Sequence, residues 1–460
     1  MPQDVAAVVL AAGKGTRFRS ETAKVLHRAA GRSLLGHILG SLRPLDLGQV
    51  VVVVGHQADE VGEEAEAAGI DRLECVLQAE QLGTGHAVQQ ALPVLAEGIR
   101  RVLIVYGDTP LITTGTLEQL LADAEGHAAS LLSAHAADPT GYGRVVRGAD
   151  GRVERIVEHG DATDEQRRID EINAGMYAVD RTWLERALGS ADDDNVQGEV
   201  YLTDIVEHLT TAGESVAASV VAEEEVAGVN DRAQLADAAR VLRRRHLEHL
   251  MREVGVTVVD PATTYVDVDV EVGRDSVLLP GTILDGGTRL GERARVGPHT
   301  HLTDCDVGPD ASVHSSRATA AVIGPGATVG PFAHLRDGTR LEAGSKAGAF
   351  VETKNATFAP GAKASHIAYV GDATIGRDVN IGCGVVVVNY DGESKHHTIV
   401  EDDAFVGSGT MLVSPVTVGE GAYVAAGSTV TDDVPARALA IGRARQVTKE
   451  GWVDRRREGR

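Results

Sequence analysis

Apolar residues follow three different spacings along this chain. Through residues 1–228, short continuous apolar runs alternate with longer mixed segments. The runs are AAVVLAA (6–12), VVVVV (50–54), RVLIVYGD (101–108) and ASLLSA (129–134), each rich in β-branched residues or leucine. Such runs, separated by helix-length segments, predict a buried, mostly parallel α/β sheet. Residues 230–255 change to helical spacing. Leu235, Ala238, Ala239 and Leu242 fall at i, i+3, i+4 and i+7, and Leu247, Leu250, Met251 and Val254 repeat that pattern. This predicts one long connector helix between an N-terminal domain (1–229) and a C-terminal domain (256–460).

The third spacing is six. Val266, Val272, Leu278, Leu284, Leu290, Val296 and Leu302 form one run, and Ile323, Val329, Leu335 and Leu341 a second. Ile375, Ile381 and Val387 form a third, and Val400, Val406, Leu412, Val418, Val424 and Val430 a fourth. Glycine often follows the aliphatic residue, as at Gly273, Gly291, Gly297, Gly324, Gly330, Gly376, Gly382, Gly407 and Gly419. A period of six fits neither a helix nor an alternating strand. It predicts a hexapeptide solenoid, with three hexads per coil of roughly 18 residues and a small residue letting the chain turn each corner. The register breaks across NYDGESKHHT (389–398), which predicts a loop ejected from the coil and a place for binding residues.

Composition narrows the partners. The formal charge of −23 argues against nucleic acid, whose phosphates need a basic face, but leaves room for small phosphorylated ligands held by local cations and backbone N–H groups. Three dispersed cysteines, Cys75, Cys305 and Cys383, give neither a disulfide framework nor a zinc site. No basic leader and no apolar stretch of membrane length is apparent, so a soluble cytoplasmic protein without membrane insertion is expected.

Directly after the first apolar run stands LAAGKGTRFRSETAK, Leu10 to Lys24. It lacks the third glycine of a Rossmann fingerprint, where Phe18 stands, and the Ser or Thr of a Walker A loop, where Gly15 follows Lys14. Gly13 and Gly15 are expected to turn N–H groups inward as an anion nest, with Arg17 and Lys24 adding positive charge.

The string L-x-x-G-x-G-T-R…K resembles the signature of sugar-1-phosphate nucleotidyltransferases, and further segments are similar to the uridylyl branch. The resemblance implies a doubly wound, Rossmann-like α/β domain. It implies nucleotide contacts at Leu10, Ala11, Ala12, Gly13 and Lys24, with Gln78 and Gly83-Thr84 of QAEQLGTGHA on uracil. Tyr106, Gly107 and Asp108 resemble the metal segment. Gly143, Glu158, Asn173 and Asn230, in GYGR, EH, EINAG and GVN, take the sugar and metal positions. Mg2+ would then sit on Asp108 and Asn230, with Arg17 and Lys24 on transition-state phosphate charge.

The second half resembles the acetyltransferase half of the bifunctional glucosamine-1-phosphate acetyltransferase and N-acetylglucosamine-1-phosphate uridyltransferase family. The implied fold is a left-handed parallel β-helix, and the resemblance spans nearly the whole chain. It implies glucosamine 1-phosphate contacts at Arg336, Lys354, Tyr369 and Asn380, and acetyl-CoA contacts at Cys383, Asn389, Tyr390, Ser408, Ala426 and Arg443. His366 would be the general base, a role suited to imidazole. Two positions depart from the family pattern: Cys383, more often alanine, and Asp337, commonly proline. The implied protein is a homotrimer that acetylates glucosamine 1-phosphate with acetyl-CoA. It then joins N-acetylglucosamine 1-phosphate to UTP, supplying bacterial cell-wall and lipopolysaccharide precursors.

Two other readings use the same residues: a nucleotidyltransferase for another sugar or base with a regulatory β-helix, and a non-catalytic scaffold. Retention of Arg17, Lys24, Asp108 and His366 argues against the scaffold. The basic tail, Arg443, Arg445, Lys449, Arg455, Arg456, Arg457 and Arg460, fits either contact with coenzyme phosphates or a solvated end.

Overall fold

The computed structural model describes residues 2–190 and 195–459; Arg460 of the basic tail lies outside them. The chain divides into two compact units, Met1–Leu242 and Arg243–Arg460.

The first unit is built on a nine-stranded sheet. Its strands are β1 (Val5–Leu10), β2 (Gln49–Val54), β3 (Leu73–Leu77), β4 (Arg101–Tyr106), β5 (Ala129–His135), β6 (Arg144–Arg147), β7 (Val153–Val157), β8 (Glu171–Asp180) and β9 (Val216–Val220). The order is β9-β5-β8-β4-β1-β2-β3, with the β6–β7 hairpin attached to β8. β8 runs antiparallel to β5, β4 and β6, the β6–β7 hairpin is antiparallel, and the remaining side-by-side pairs are parallel. All four apolar runs are strands. β3, β6, β7, β8 and β9 were not anticipated; β3 and β9 are edge strands that are only part-buried, and β3 carries Glu74.

Successive residues of β1 enter opposite cores, Ala7 and Val9 on one face, Ala6, Val8 and Leu10 on the other. The first face is covered by helices Leu34–Leu42, Ala58–Ala67 and Thr114–Asp123. The second is covered by Thr84–Ala91, Arg181–Gly189 and Asp204–Thr211. Two covered faces explain why β1, β2 and β4 read as continuous apolar runs.

The expected helix over 230–255 is α-helical for Arg232–His249 and closes with a π-helical turn, Leu250–Val254, ended by Gly255 at φ +85°. Ala238, Val241 and Leu242 pack with Phe18, Leu34 and Leu111 in the first unit. Leu247 and Leu250 join the core of the second.

That second unit is a stack of parallel strands, most of them two or three residues long and paired with the strand three further along the chain, while Lys346–Phe358 and Lys363–Ile375 are 13 residues each and pair with one another. Three-strand recurrence makes a three-sided coil. Every aliphatic residue of the four hexad runs is buried, none more than 6% exposed. The coil is not uniform. Leu278 pairs with Val296, Val296 with Val313 and Val313 with Val329, so successive coils shorten from 18 to 17 to 16 residues. Ala318 and Cys305 fill the core where the aliphatic run lapses, and burial pushes the Cys305 thiol up to about 11.

Of the glycines after the core residues, Gly297 and Gly330 turn with positive φ as expected, +105° and +94°, but others play a different part. Gly273, Gly382 and Gly407 do not have positive φ. A Cβ on them would stand 2.4–2.6 Å from backbone nitrogen of the next coil. They permit close stacking of coils. The corners themselves turn at other positive-φ residues, among them Gly384, Gly409, Gly427, Phe332 and Phe350.

Candidate functional site

In the first unit, β1 and β4 end side by side, Leu10 paired with Tyr106. Beyond these carboxyl ends lies a cavity of about 260 Å³. Leu10, Ala11, Ala12, Gly13, Lys24, Gln78, Gly83, Thr84, Tyr106 and Asp108 line it, so ten residues singled out from sequence meet in one place. Carboxyl ends of parallel strands are where open α/β sheets bind ligands.

The loop Leu10–Lys24 is shaped by Gly15, at φ +58° and ψ +41°. Gly13 is not in the left-handed region, so the glycine pair is not a symmetric nest. Gly15 has a second use: a Cβ there would lie 2.6 Å from Cβ of Lys24. Its absence lets Lys24 fold back over the loop. The Lys24 ammonium is paired with Asp108 and lies 3.2 Å from Oδ1 of Asn230. Arg17 donates to the same Oδ1 at 3.0 Å. Asp108 and Asn230 are held together by the backbone, since the Val229 N–H donates to the Asp108 carbonyl at 2.8 Å.

Gly143, Glu158 and Asn173 come together through the β6–β7 hairpin and β8. The Asn173 N–H donates to the Gly143 carbonyl at 2.9 Å. Asn173 also folds its Oδ1 onto the Gly175 N–H, 3.0 Å away, at a β-bulge. A Cβ on Gly175 would sit 2.5 Å from the Tyr106 ring, so this glycine seats Tyr106. Thr203 donates to Glu158 at 3.1 Å, yet burial raises the Glu158 carboxyl above its ordinary value. The Tyr106 phenol is likewise raised, by burial first and then by the nearby Glu158 and Asp108 carboxylates. The base-side, sugar-side and metal-side candidates therefore share one electrostatic neighbourhood. Gly107 sits behind it, its N–H donating to the Leu10 carbonyl at 2.9 Å.

Asp108 and Asn230 offer two hard oxygens converging on one cation, here the Lys24 ammonium. That donor set suits Mg2+, which takes few protein ligands and completes its shell with phosphate and water. Among the described residues no group of three His, Cys, Asp or Glu side chains forms a metal cluster.

The sequence reading missed Val25, Gln81, Ala87 and Glu199, which also line the cavity. Gln81 was legible in principle: it lies within QAEQLGTGHA and donates to the Ala12 carbonyl at 2.7 Å.

In the second unit, pairing of Leu335 with Thr353 and of Lys354 with Gly371 sets Arg336, Lys354 and Gly371 in one column on one face. Arg336 donates to Glu352 at 3.1 Å rather than to the adjacent Asp337. Tyr369 stands beside Glu352 in register, and its hydroxyl reaches over Gly371, where a Cβ would lie 2.5 Å away. A Cβ on Gly371 would also meet Asn389 Nδ2 at 2.8 Å, so Tyr369 and Asn389 converge.

His366 and most of the acetyl-CoA candidates occupy a corner. Ala364 pairs with Ile381, Ile381 with Val406 and Val406 with Val424. Two residues beyond these core positions, His366, Cys383, Ser408 and Ala426 therefore follow one another coil by coil. Backbone bonds from Gly384 to Ile367, Gly409 to Cys383 and Gly427 to Ser408 tie that corner together. Arg443 follows: its Cδ lies 3.9 Å from an ideal Cβ on Gly427. His366 and Cys383 are exposed. Asn380 stands on the adjoining face, in register with Lys363 and Phe405. The interrupted segment is an ejected loop, closed by a Tyr390–Lys395 bridge. Asp391 organises it by accepting from the Ser394 N–H, the His396 ring and the Glu393 N–H, and these bonds hold its carboxyl well below the usual range.

Residues 7–175 match the MobA-like NTP transferase domain, and residues 397–432 match the six-repeat bacterial transferase hexapeptide family. The bifunctional protein GlmU of Exiguobacterium sibiricum is 51% identical over 97% of this chain and 99% of its own. The GlmU proteins of Streptomyces avermitilis and Thermobifida fusca are 52% and 53% identical over 99% of this chain and 95% of theirs. The chain belongs to the GlmU family. GlmU proteins match it end to end, so both units fall within the likeness. As a GlmU protein it is a bifunctional enzyme, glucosamine-1-phosphate N-acetyltransferase and N-acetylglucosamine-1-phosphate uridyltransferase. It is built from a Rossmann-like nucleotidyltransferase unit and a hexapeptide-repeat β-helix. No helix among the described residues is long and apolar enough to cross a membrane.

Proposed function

We propose that the cavity at the ends of β1 and β4 joins UTP to N-acetylglucosamine 1-phosphate, and that the corner carrying His366 acetylates glucosamine 1-phosphate. The observation that carries this reading is the convergence of Lys24, Arg17, Asp108 and Asn230 at the edge of a cavity whose other lining residues include Gln78, Gly83 and Thr84.

In the uridylyl step, an oxygen of the sugar 1-phosphate attacks the α-phosphorus of UTP, the bond to the bridging oxygen breaks, and pyrophosphate leaves. Such transfers need positioning and charge neutralisation more than a protein nucleophile. Lys24 and Arg17 supply fixed positive charge beside the developing negative charge. The loop Leu10–Gly13 and Gln78, Gly83 and Thr84 bind the nucleotide. Gly143, Glu158 and Asn173 orient the sugar, with Tyr106 between the two groups. Asp108 and Asn230 would hold Mg2+, which when bound neutralises phosphate charge. Lys24, now between the two oxygens, then shifts toward phosphate.

In the acetyl step, the substrate amine attacks the thioester carbonyl, the C–S bond breaks, and the coenzyme leaves as its thiolate. His366 takes the proton lost by the amine nitrogen. Arg336 and Lys354, stacked in one column, bind the sugar phosphate, and Tyr369 and Asn380 hold the sugar. The corner of Cys383, Ser408 and Ala426, with Asn389, Tyr390 and Arg443, receives acetyl-CoA. Direct transfer needs no cysteine nucleophile, so Cys383 is a contact residue only.

The working form is a homotrimer in the cytoplasm. An exposed apolar ridge supports association: Phe332, Phe350 and Ile367, 59%, 60% and 57% exposed, run up the corner beside His366, with the two phenylalanines stacked at 5.2 Å. Their positive φ, unusual for bulky side chains, fits a built surface rather than a chance patch. A second copy seated there would complete the site next to His366.

A coupled assay with glucosamine 1-phosphate, acetyl-CoA, UTP and Mg2+ tests the division of labour. His366→Ala should stop acetylation alone and Asp108→Ala uridylyl transfer alone. Loss of both activities in either folded variant would overturn it.

A further inference from the structure

Gln78 is 4% exposed and lines the nucleotide cavity, but its amide group is not free to turn. Nε2 donates to the Gly83 carbonyl at 3.1 Å and stands 3.1 Å from Nδ1 of His86. A carbonyl can only accept, so the Gly83 bond fixes which end of the amide is NH2. Its second hydrogen then points to His86 Nδ1, which must present a lone pair. That places the His86 proton on Nε2, 3.1 Å from the side-chain amide of Gln90. As placed, Gln90 Nε2 also donates to the His86 carbonyl at 3.4 Å, a longer bond than the 3.1 Å from Gln78 to Gly83. Gln90 completes the chain by giving up that weaker bond and turning its oxygen to the His86 N–H, a rotation that exchanges two nearly isosteric ends. Among the described residues no protein group donates to Oε1 of Gln78.

We infer that His86 is a positioning residue for base selection: it locks the Gln78 amide so that Oε1 faces the base edge and accepts from an imide N–H. Uracil carries that N–H at N3. Cytosine carries a lone pair there and would meet Oε1 lone pair to lone pair. With the amide reversed, its NH2 would suit cytosine and oppose uracil. One half-buried histidine outside the cavity lining thus sets which pyrimidine the cavity accepts. The inference rests on the proposed assignment of Gln78 to the base.

The test is kcat/KM for UTP and for CTP, with N-acetylglucosamine 1-phosphate and Mg2+, in the full-length protein. Circular dichroism and the thermal midpoint of the first unit serve as the folding control. His86→Leu removes the acceptor and lets the amide turn. The UTP-to-CTP preference should fall roughly tenfold or more, mainly through KM for UTP, as expected for an unlocked buried amide. His86→Asn, whose Oδ1 can replace Nδ1 as acceptor, should restore most of the preference, an outcome that a purely space-filling role would not produce. His86→Phe gives the same readout if His86→Leu does not fold. An unchanged preference in the folded Leu or Phe variant would overturn the inference. Gln78→Leu separates the two ideas: if it loses the preference while His86 variants keep it, only the role of His86 fails. If Gln78→Leu also keeps it, the base assignment itself fails.

Discussion

The side-chain amide of Asn389 donates to Asp372 at 2.5 Å, and the amide of Asn355 reaches the other oxygen of that carboxylate at 2.7 Å. Asp372 thus ties the start of the ejected loop to two consecutive coils. Burial alone would raise its carboxyl, but the bonds from Asn355 and Asn389, helped by Lys395 and Lys354, hold it below its ordinary value. Asp372→Ala should free Asn389 beside Tyr369 and lower acetyltransferase kcat/KM by at least roughly tenfold, as expected for losing a charge-assisted bond. Uridylyl transfer should be untouched. Separate assays of the two reactions check this, and an unchanged acetyl rate would show that the loop is anchored elsewhere.

Gly15 and Gly13 give a sharper contrast. Gly15→Ala puts a Cβ 2.6 Å from Lys24 at a left-handed residue, whereas a Cβ on Gly13 meets nothing within 4 Å. The first substitution should cost about 1–2 kcal/mol of stability in the first unit and displace Lys24 from Asp108. Uridylyl transfer should fall with it. Gly13→Ala should leave the thermal midpoint unchanged. Equal midpoints for both variants would remove Gly15 from the account of Lys24.

Asp108→Asn keeps an oxygen for Asn230's partner cation but removes the charge that pairs with Lys24. Uridylyl kcat should drop by roughly two to three orders of magnitude, in line with loss of one preorganised electrostatic group. The Mg2+ concentration for half-maximal rate should rise. A Mg2+ titration of the variant that overlays the wild type would exclude Asp108 from the metal position.

Much of the fold was legible because each core imposes a period. The hexad aliphatics point to the axis in every coil, and strands β1, β2 and β4 are apolar throughout because both sheet faces are covered. Legibility lapsed between Leu302 and Ile323, where coils of 16 and 17 residues replace the full hexad count and Ala318 stands in the core. The site residues were legible as strings, through resemblance, and the cavity residues among them do meet. The residues that hold them were not. His86, Asp372 and Glu352 are ordinary polar residues whose meaning lies in a partner 8 to 17 positions away. Nor could a sequence distinguish a glycine that turns a corner from one that admits the next coil.

Glu158 yields a pH prediction. Its carboxyl is raised above 4.5 chiefly by burial, with Asp204, Asp161 and Glu199 adding to the effect and the Thr203 hydroxyl opposing it. A raised acid binds its proton more tightly in the folded protein. Ionised Glu158 therefore costs stability above its folded pKa, and that cost is relieved as pH falls through it. Function runs the other way, because a sugar hydroxyl donates best to the ionised form. As pH falls, KM for N-acetylglucosamine 1-phosphate should begin to rise at a higher pH than an ordinary glutamate would give. Glu158→Gln should remove that rise, flatten the difference profile against wild type, and start from a higher KM at neutral pH. Its thermal midpoint at neutral pH should match or exceed that of the wild type, since no buried charge remains. A wild-type acid limb that persists unchanged in Glu158→Gln would assign the titration to the substrate phosphate instead and remove Glu158 from the sugar contact.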